Sequence, residues 1–136
     1  MKKFNLVYLM FFLVVGLIWQ LNNRYGKHTV MFYGFAETKE TEINLDSLYP
    51  KKQPLVMEIG YGMGEATWQI AKGNPDVNYL GVEVHMPGVG KLMARLDEYE
   101  LTNVRLIECD VFEVFYYMVK GSSLDGVHLF FPDPWP

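Results

Sequence analysis

Leu55-Val56-Met57-Glu58-Ile59-Gly60-Tyr61-Gly62-Met63-Gly64 is the stretch whose reading decides the fold. Its first residues form a short apolar run of the kind that makes a buried strand. The alternating glycines behind it permit a sharp turn and let the backbone approach a ligand with no Cβ in the way. A helix opening at Glu65 sets unpaired N–H groups behind that turn. Alone, the pattern marks a small-molecule site on an α/β sheet and no more.

On its C-terminal side the chain alternates. Glu65 to Lys72 reads as a helix stopped by Gly73-Asn74-Pro75, and Tyr79 to Val84 as a second buried strand. Pro87 suits the start of a helix, which Leu92, Met93 and Leu96 carry at helical spacing over Val89 to Tyr99. A third strand, Val104 to Cys109, leads to a third helix, Val111 to Met118. A fourth strand, Gly126 to Phe131, runs into Pro132-Asp133-Pro134-Trp135-Pro136. Strands alternating with helices at short connections predict an α/β fold with a parallel sheet and right-handed crossovers. Ligands of such sheets sit beyond the carboxyl ends of the strands. There stand Glu58, Glu83, Asp110 and Asp133, one carboxylate per strand. Asp110 taken singly has the ordinary reading of a helix cap; the set in register asks for more.

On the N-terminal side the reading is coarser. Residues 1–24 form an apolar segment, 25–53 a connector, and 54–136 the ligand-binding domain. Phe4 to Leu21 has about the roughly 20 residues that a membrane-crossing helix needs. Lys2 and Lys3 before it balance Arg24 and Lys27 after it, so charge gives no orientation. A membrane anchor, a buried core helix and an artefactual start all remain open. In the connector, Ile43, Leu45 and Leu48 can pack a short segment, Asp46-Ser47 can start a helical turn, and Pro50 and Pro54 bracket a solvated link.

Composition narrows the classes. At 136 residues the chain holds one domain with a real core. A net charge of −4 argues against a free-standing nucleic-acid binder, which shows a basic excess. The single Cys109 excludes an internal disulfide and a multi-thiolate metal site, and His28, His85 and His128 lack zinc-ligand spacing. No metal is expected.

The glycine spacing separates two ligand classes. A dinucleotide fingerprint, G-x-G-x-x-G, would place its third glycine where Glu65 stands, and a carboxylate there repels a pyrophosphate. No Walker lysine follows either. S-adenosylmethionine carries no phosphate and fits the carboxylates. Glu83, at the end of the second strand, is placed to accept from both ribose hydroxyls, and Asp110 from the adenine amine. Glu58 can sit near the ammonium or hold the loop. Each contact joins a charged acceptor to a donor, the stronger class of hydrogen bond.

Three motifs in order carry a resemblance: Glu58-Ile59-Gly60-Tyr61-Gly62-Met63-Gly64-Glu65-Ala66-Thr67, then Gly81-Val82-Glu83-Val84-His85 with Pro87-Gly88-Val89-Gly90, then Phe130-Phe131-Pro132-Asp133-Pro134-Trp135-Pro136. From Leu55 to Pro136 the chain resembles the bacterial tRNA (guanine-N7-)-methyltransferases. The resemblance implies a Rossmann-like class I methyltransferase fold, S-adenosylmethionine as cofactor and tRNA as partner. Carried over by position, it implies cofactor contacts at Glu58, Glu83 and Asp110, with the turn glycines Gly60, Gly62 and Gly64 beside them. Asp133 becomes the catalytic or cofactor-proximal aspartate. The family begins with a polar segment rather than Phe4 to Leu21, and it continues past Pro-Asp-Pro-Trp-Pro with a basic stretch and further strands. The expectation is a C-terminally truncated member with the first four or so strands. Its place would be cytoplasmic, with membrane association through Phe4 to Leu21 as the open alternative. Oligomeric state is left open by the sequence.

Overall fold

A computed structural model describes residues 30–32 and 42–130. The segment Phe4 to Leu21 and the motif residues 131–136, Asp133 among them, lie outside the described residues.

The described strands are β1 (Val30–Phe32), β2 (Leu55–Ile59), β3 (Asn78–Glu83), β4 (Val104–Glu108) and β5 (Gly126–His128). They form one sheet in the order β1-β4-β3-β2-β5, with every neighbouring pair parallel. Helices α1 (Glu65–Gly73) and α2 (Met86–Glu98) follow β2 and β3, and a short helix α3 (Val111–Glu113) running into a π turn (Val114–Met118) follows β4. A parallel pair needs a crossover, and these helices supply it.

Two apolar layers sandwich the sheet. On one side Leu92, Leu96, Val89 and Ala71 of the two long helices meet Tyr79, Val104 and Leu106. On the other, Val114 and Met118 meet Met57, Leu80, Val82 and Ile107. β3 is buried at every position, as expected for a central strand covered on both faces. Leu45 and Tyr49, from the stretch expected as a connector, pack into this second layer. Arg105 ties that stretch down, its Nε donating to the Leu48 carbonyl at 2.6 Å and its guanidinium lying 5.3 Å from the Tyr49 ring. The Tyr49 hydroxyl donates to the Tyr79 carbonyl at 2.8 Å.

Beyond shifts of a single residue at other ends, the elements differ from the sequence expectation in three places. β1 pairs with β4 at the sheet edge, although its three residues carry no period long enough to stand out. α2 starts at Met86 rather than Val89, with Pro87 in its first turn, where a missing N–H costs nothing. β5 ends at His128 rather than Phe131. Among the described residues no helix is long and apolar enough to cross a membrane.

Candidate functional site

The carboxyl edge of the sheet is where the glycine turn closes. The Gly60 N–H still donates to the Val82 carbonyl (2.8 Å), extending the β2–β3 ladder, and the Gly64 N–H closes back on the Tyr61 carbonyl (2.9 Å). Gly60, Gly62 and Gly64 have φ of 66°, 58° and 73°, the left-handed region that favours glycine. A Cβ at Gly60 or Gly62 would project into open space, whereas one at Gly64 would lie 2.7 Å from Leu92 Cβ. The first two glycines therefore present bare backbone outward and the third seats α1 on α2. Gly88 completes the arrangement, since a Cβ there would overlap the Gly62 carbonyl oxygen. The start of α2 and the turn thus touch backbone to backbone.

Glu83 clamps the two together. Its Oε2 accepts from the Gly62 N–H at 2.8 Å, and its Oε1 accepts from the N–H groups of Val84 (2.7 Å) and His85 (3.0 Å). A carboxylate offers about four lone-pair sites, so one remains. Glu65, the first residue of α1, is exposed and accepts from Gln69 Nε2 at 3.0 Å.

Glu58 is buried at 3% exposure, one residue before the end of β2. Burial pushes its carboxyl above the usual range, opposed by the Thr67 hydroxyl beside it. That hydroxyl, though close, makes no hydrogen bond of good geometry. Asp110 caps α3, accepting from the Phe112 N–H at 2.8 Å, and is exposed. The structure therefore brings Glu58, Gly60, Gly62, Gly64 and Glu83 together, with Asp110 beyond the end of the adjacent strand.

Other side chains join this edge without a motif to announce them. Glu108 ends β4 in register with Glu83, so both carboxylates leave the same face. Burial raises the Glu108 carboxyl, and its Oε2 is buried without a partner. Tyr61 lies over Gly81, whose missing Cβ would sit 2.8 Å from Tyr61 Cε1, and its hydroxyl is also without a partner. Burial first, then the carboxylates of Glu83, Glu108 and Glu58, hold that phenol far above its ordinary pKa, so it remains a donor. His128 of β5 is in register with Glu58, its Nδ1 again unpartnered. The available signal for Glu108 was strand alternation from Leu106, which places it on the face of that leucine. For Tyr61 no sequence signal existed, because its position depends on the turn folding back over β3.

Among the described residues no ion pair involves Glu58, Glu83 or Glu108. No cluster there could hold a metal ion. Buried carboxylates without cations, beside bare glycine backbone, suit a ligand that brings its own positive charge and hydrogen-bond donors.

A family described as "Putative methyltransferase" matches residues 52–136, more than half of the chain. The chain belongs to this methyltransferase family. The glycine turn, the Glu83 clamp and Glu58, Glu108 and Asp110 all fall within the matched stretch. Over 97 residues the chain is 47% identical to the tRNA (guanine-N(7)-)-methyltransferase of Nitrosomonas eutropha, covering 71% of this chain and 43% of that one. It is 50% identical over 103 residues to the enzyme of that name from Chromobacterium violaceum, covering 76% and 45%. With that of Dechloromonas aromatica it shares 54% over 93 residues, covering 68% and 38%. The chain thus spans about two fifths of the length of these curated relatives. Among solved structures, the 16S rRNA methyltransferase KamB superposes with a TM-score of 0.56 at 15% identity, over 71% of this chain and 45% of that one. That likeness shows the shared Rossmann-like fold of class I methyltransferases.

Proposed function

We propose that this protein transfers a methyl group from S-adenosylmethionine to N7 of a guanosine in tRNA, and that residues 52–136 carry its cofactor half. The observation behind this reading is an edge of uncompensated carboxylates around bare glycine backbone, in a chain about half identical to relatives named for that reaction. The residues fit the cofactor. Glu58 would face the ammonium, Gly60 and Gly62 the backbone approach, Glu83 the ribose and Asp110 the adenine amine. When bound, the cofactor supplies an electrophilic methyl group on a sulfonium.

Guanine N7 has an exposed lone pair, so no proton need be removed before attack. The protein's task is alignment, which lowers a barrier by roughly 7–11 kcal/mol in ideal cases. As N7 is alkylated the ring gains positive charge, and a carboxylate beside it stabilises that charge. Asp133, between two prolines, takes this role in our reading, with a cofactor contact from its other oxygen. Phosphate contacts for tRNA need basic residues, and the net charge of −4 here leaves little of that grip to these residues. We place the whole protein in the cytoplasm with its tRNA substrate.

The test pairs binding with turnover. S-adenosylhomocysteine should bind the 136-residue chain calorimetrically, and tRNA incubated with the whole protein and labelled cofactor should gain N7-methylguanosine. Asp133→Ala should keep the binding and lose most of the transfer. Binding with no methylated guanosine on any tRNA would remove the substrate assignment, and undiminished transfer by Asp133→Ala would remove that residue from the chemistry.

A further inference from the structure

The short helix α3 and the π turn after it bury one face and leave the other bare. Val114 and Met118 sit in the second apolar layer, whereas Phe112, Phe115, Tyr116 and Tyr117 stay outside it, with Phe112 66% and Tyr116 79% exposed. The Tyr116 and Tyr117 rings lie 6.3 Å apart, so those two form one surface. A contiguous apolar patch on a protein surface marks a place where something else packs. The charges around it narrow the occupant. Asp110 and Glu113 lie on the same short segment with no basic partner among the described residues, and Lys120 is engaged by Glu42 at 3.6 Å. An RNA backbone or an acidic lipid would meet repulsion there. An apolar segment without charge fits.

We propose that the occupant is the chain's own segment Phe4 to Leu21, folded back over this aromatic face. The segment contains no Asp, Glu, Lys, Arg or His. The chain joins the described fold at Val30, and β1 pairs there with β4, Val30 opposite Leu106 and Phe32 opposite Glu108. β4 is the strand that leads through Asp110 into α3. The apolar segment thus ends one short link, residues 22–29, before the strand that lies beside the one leading to the patch. Extended at about 3.3 Å per residue, that link reaches roughly 26 Å, and a helix layer is only about 10–12 Å thick. Packing the segment on the patch takes both apolar surfaces out of water, which drives the contact. None of this depends on the cofactor reading.

The test uses the full 136-residue chain with the photo-cross-linker p-benzoylphenylalanine in place of Tyr116, irradiated with neutral-lipid vesicles present and mapped by mass spectrometry. Mixing isotopically light and heavy chains separates links within a chain from links between copies. The expected product joins position 116 to a peptide within residues 4–21 of the same chain. The same label in place of exposed Gln69, on α1 in the opposite layer, should give no such product. Phe112→Ala should lower the urea midpoint of the full chain, because truncating a covered aromatic destabilises and truncating a bare one does not. Links only to lipid, only between copies or to residues 33–41 instead would overturn the proposal. So would no link at all, equal labelling from position 69, or an unchanged midpoint for Phe112→Ala. The benzophenone replaces a largely exposed ring, and the label in place of Phe112 carries the test should the first variant unfold.

Discussion

At the scale of single residues, the carboxylates at the sheet edge do different work despite their common chemistry. Glu83 is a structural clamp before it is anything else, with N–H donors from two segments on one carboxylate. Glu83→Gln puts an amide donor against those N–H groups. Hydrogen bonds to a charged acceptor are worth about 1.5–3 kcal/mol, so a loss of that order is expected in urea unfolding, together with weaker binding of S-adenosylhomocysteine. Glu58 behaves differently, because burial raises its carboxyl above the ordinary range. Between the unfolded pKa and the raised one, its native state holds a proton that the unfolded state has released. Stability is therefore greatest below the unfolded carboxyl pKa and falls as pH rises through the raised one. Glu108 adds to the same slope. Urea midpoints measured between about pH 5 and about pH 8 should fall less for Glu58→Gln than for wild type. An identical slope would mean that Glu58 is ionised in the native protein throughout.

At the scale of elements, the site depends on how closely the glycine turn and α2 approach. Gly88→Ala would drive a methyl group into the Gly62 carbonyl. Overpacking of this kind costs about 1–3 kcal/mol. The expected result is a lower melting temperature and weaker cofactor binding, while exposed Gly90, with open space around it, should accept alanine quietly. Wild-type behaviour of Gly88→Ala would show that the turn can shift without losing its function. The strand–turn–helix unit itself was legible: apolar run, glycines and helix start all lie within one short segment. The start of α2 was legible in Pro87, which suits a helix entry, but not to the residue, because exposed Met86 adds nothing to the buried face that begins at Gly88 and Val89. β1 was not legible, being a strand only because β4 offers it an edge.

At the scale of the molecule, the sheet separates two apolar layers. Leu96 lies in one and Met118 in the other, at 0% and 4% exposure. Each change to alanine should cost about 2–5 kcal/mol. Since the two share no cluster, the double variant should equal the sum within about 0.3–0.5 kcal/mol. A larger coupling would mean that the sheet transmits strain between its faces. Asn103 links the elements in another way, its Nδ2 donating to the carbonyls of Ala71 (3.1 Å), Asn74 (3.2 Å) and Val77 (2.9 Å). It joins the end of α1 to the start of β4.

From β2 onward the order of strands and helices, the glycine turn and the placing of Glu58, Glu83 and Asp110 near the strand ends were determined by the sequence alone. Each of these is a local pattern, set by side-chain period or by the freedom of a glycine backbone. Only the tertiary structure decided which of those acids are already occupied, and which further side chains stand among them. Register across β3 and β4 puts Glu108 beside Glu83, and the turn folding over Gly81 brings in Tyr61. Those are contacts between residues distant in the chain, fixed by packing and hydrogen bonding that no local pattern encodes.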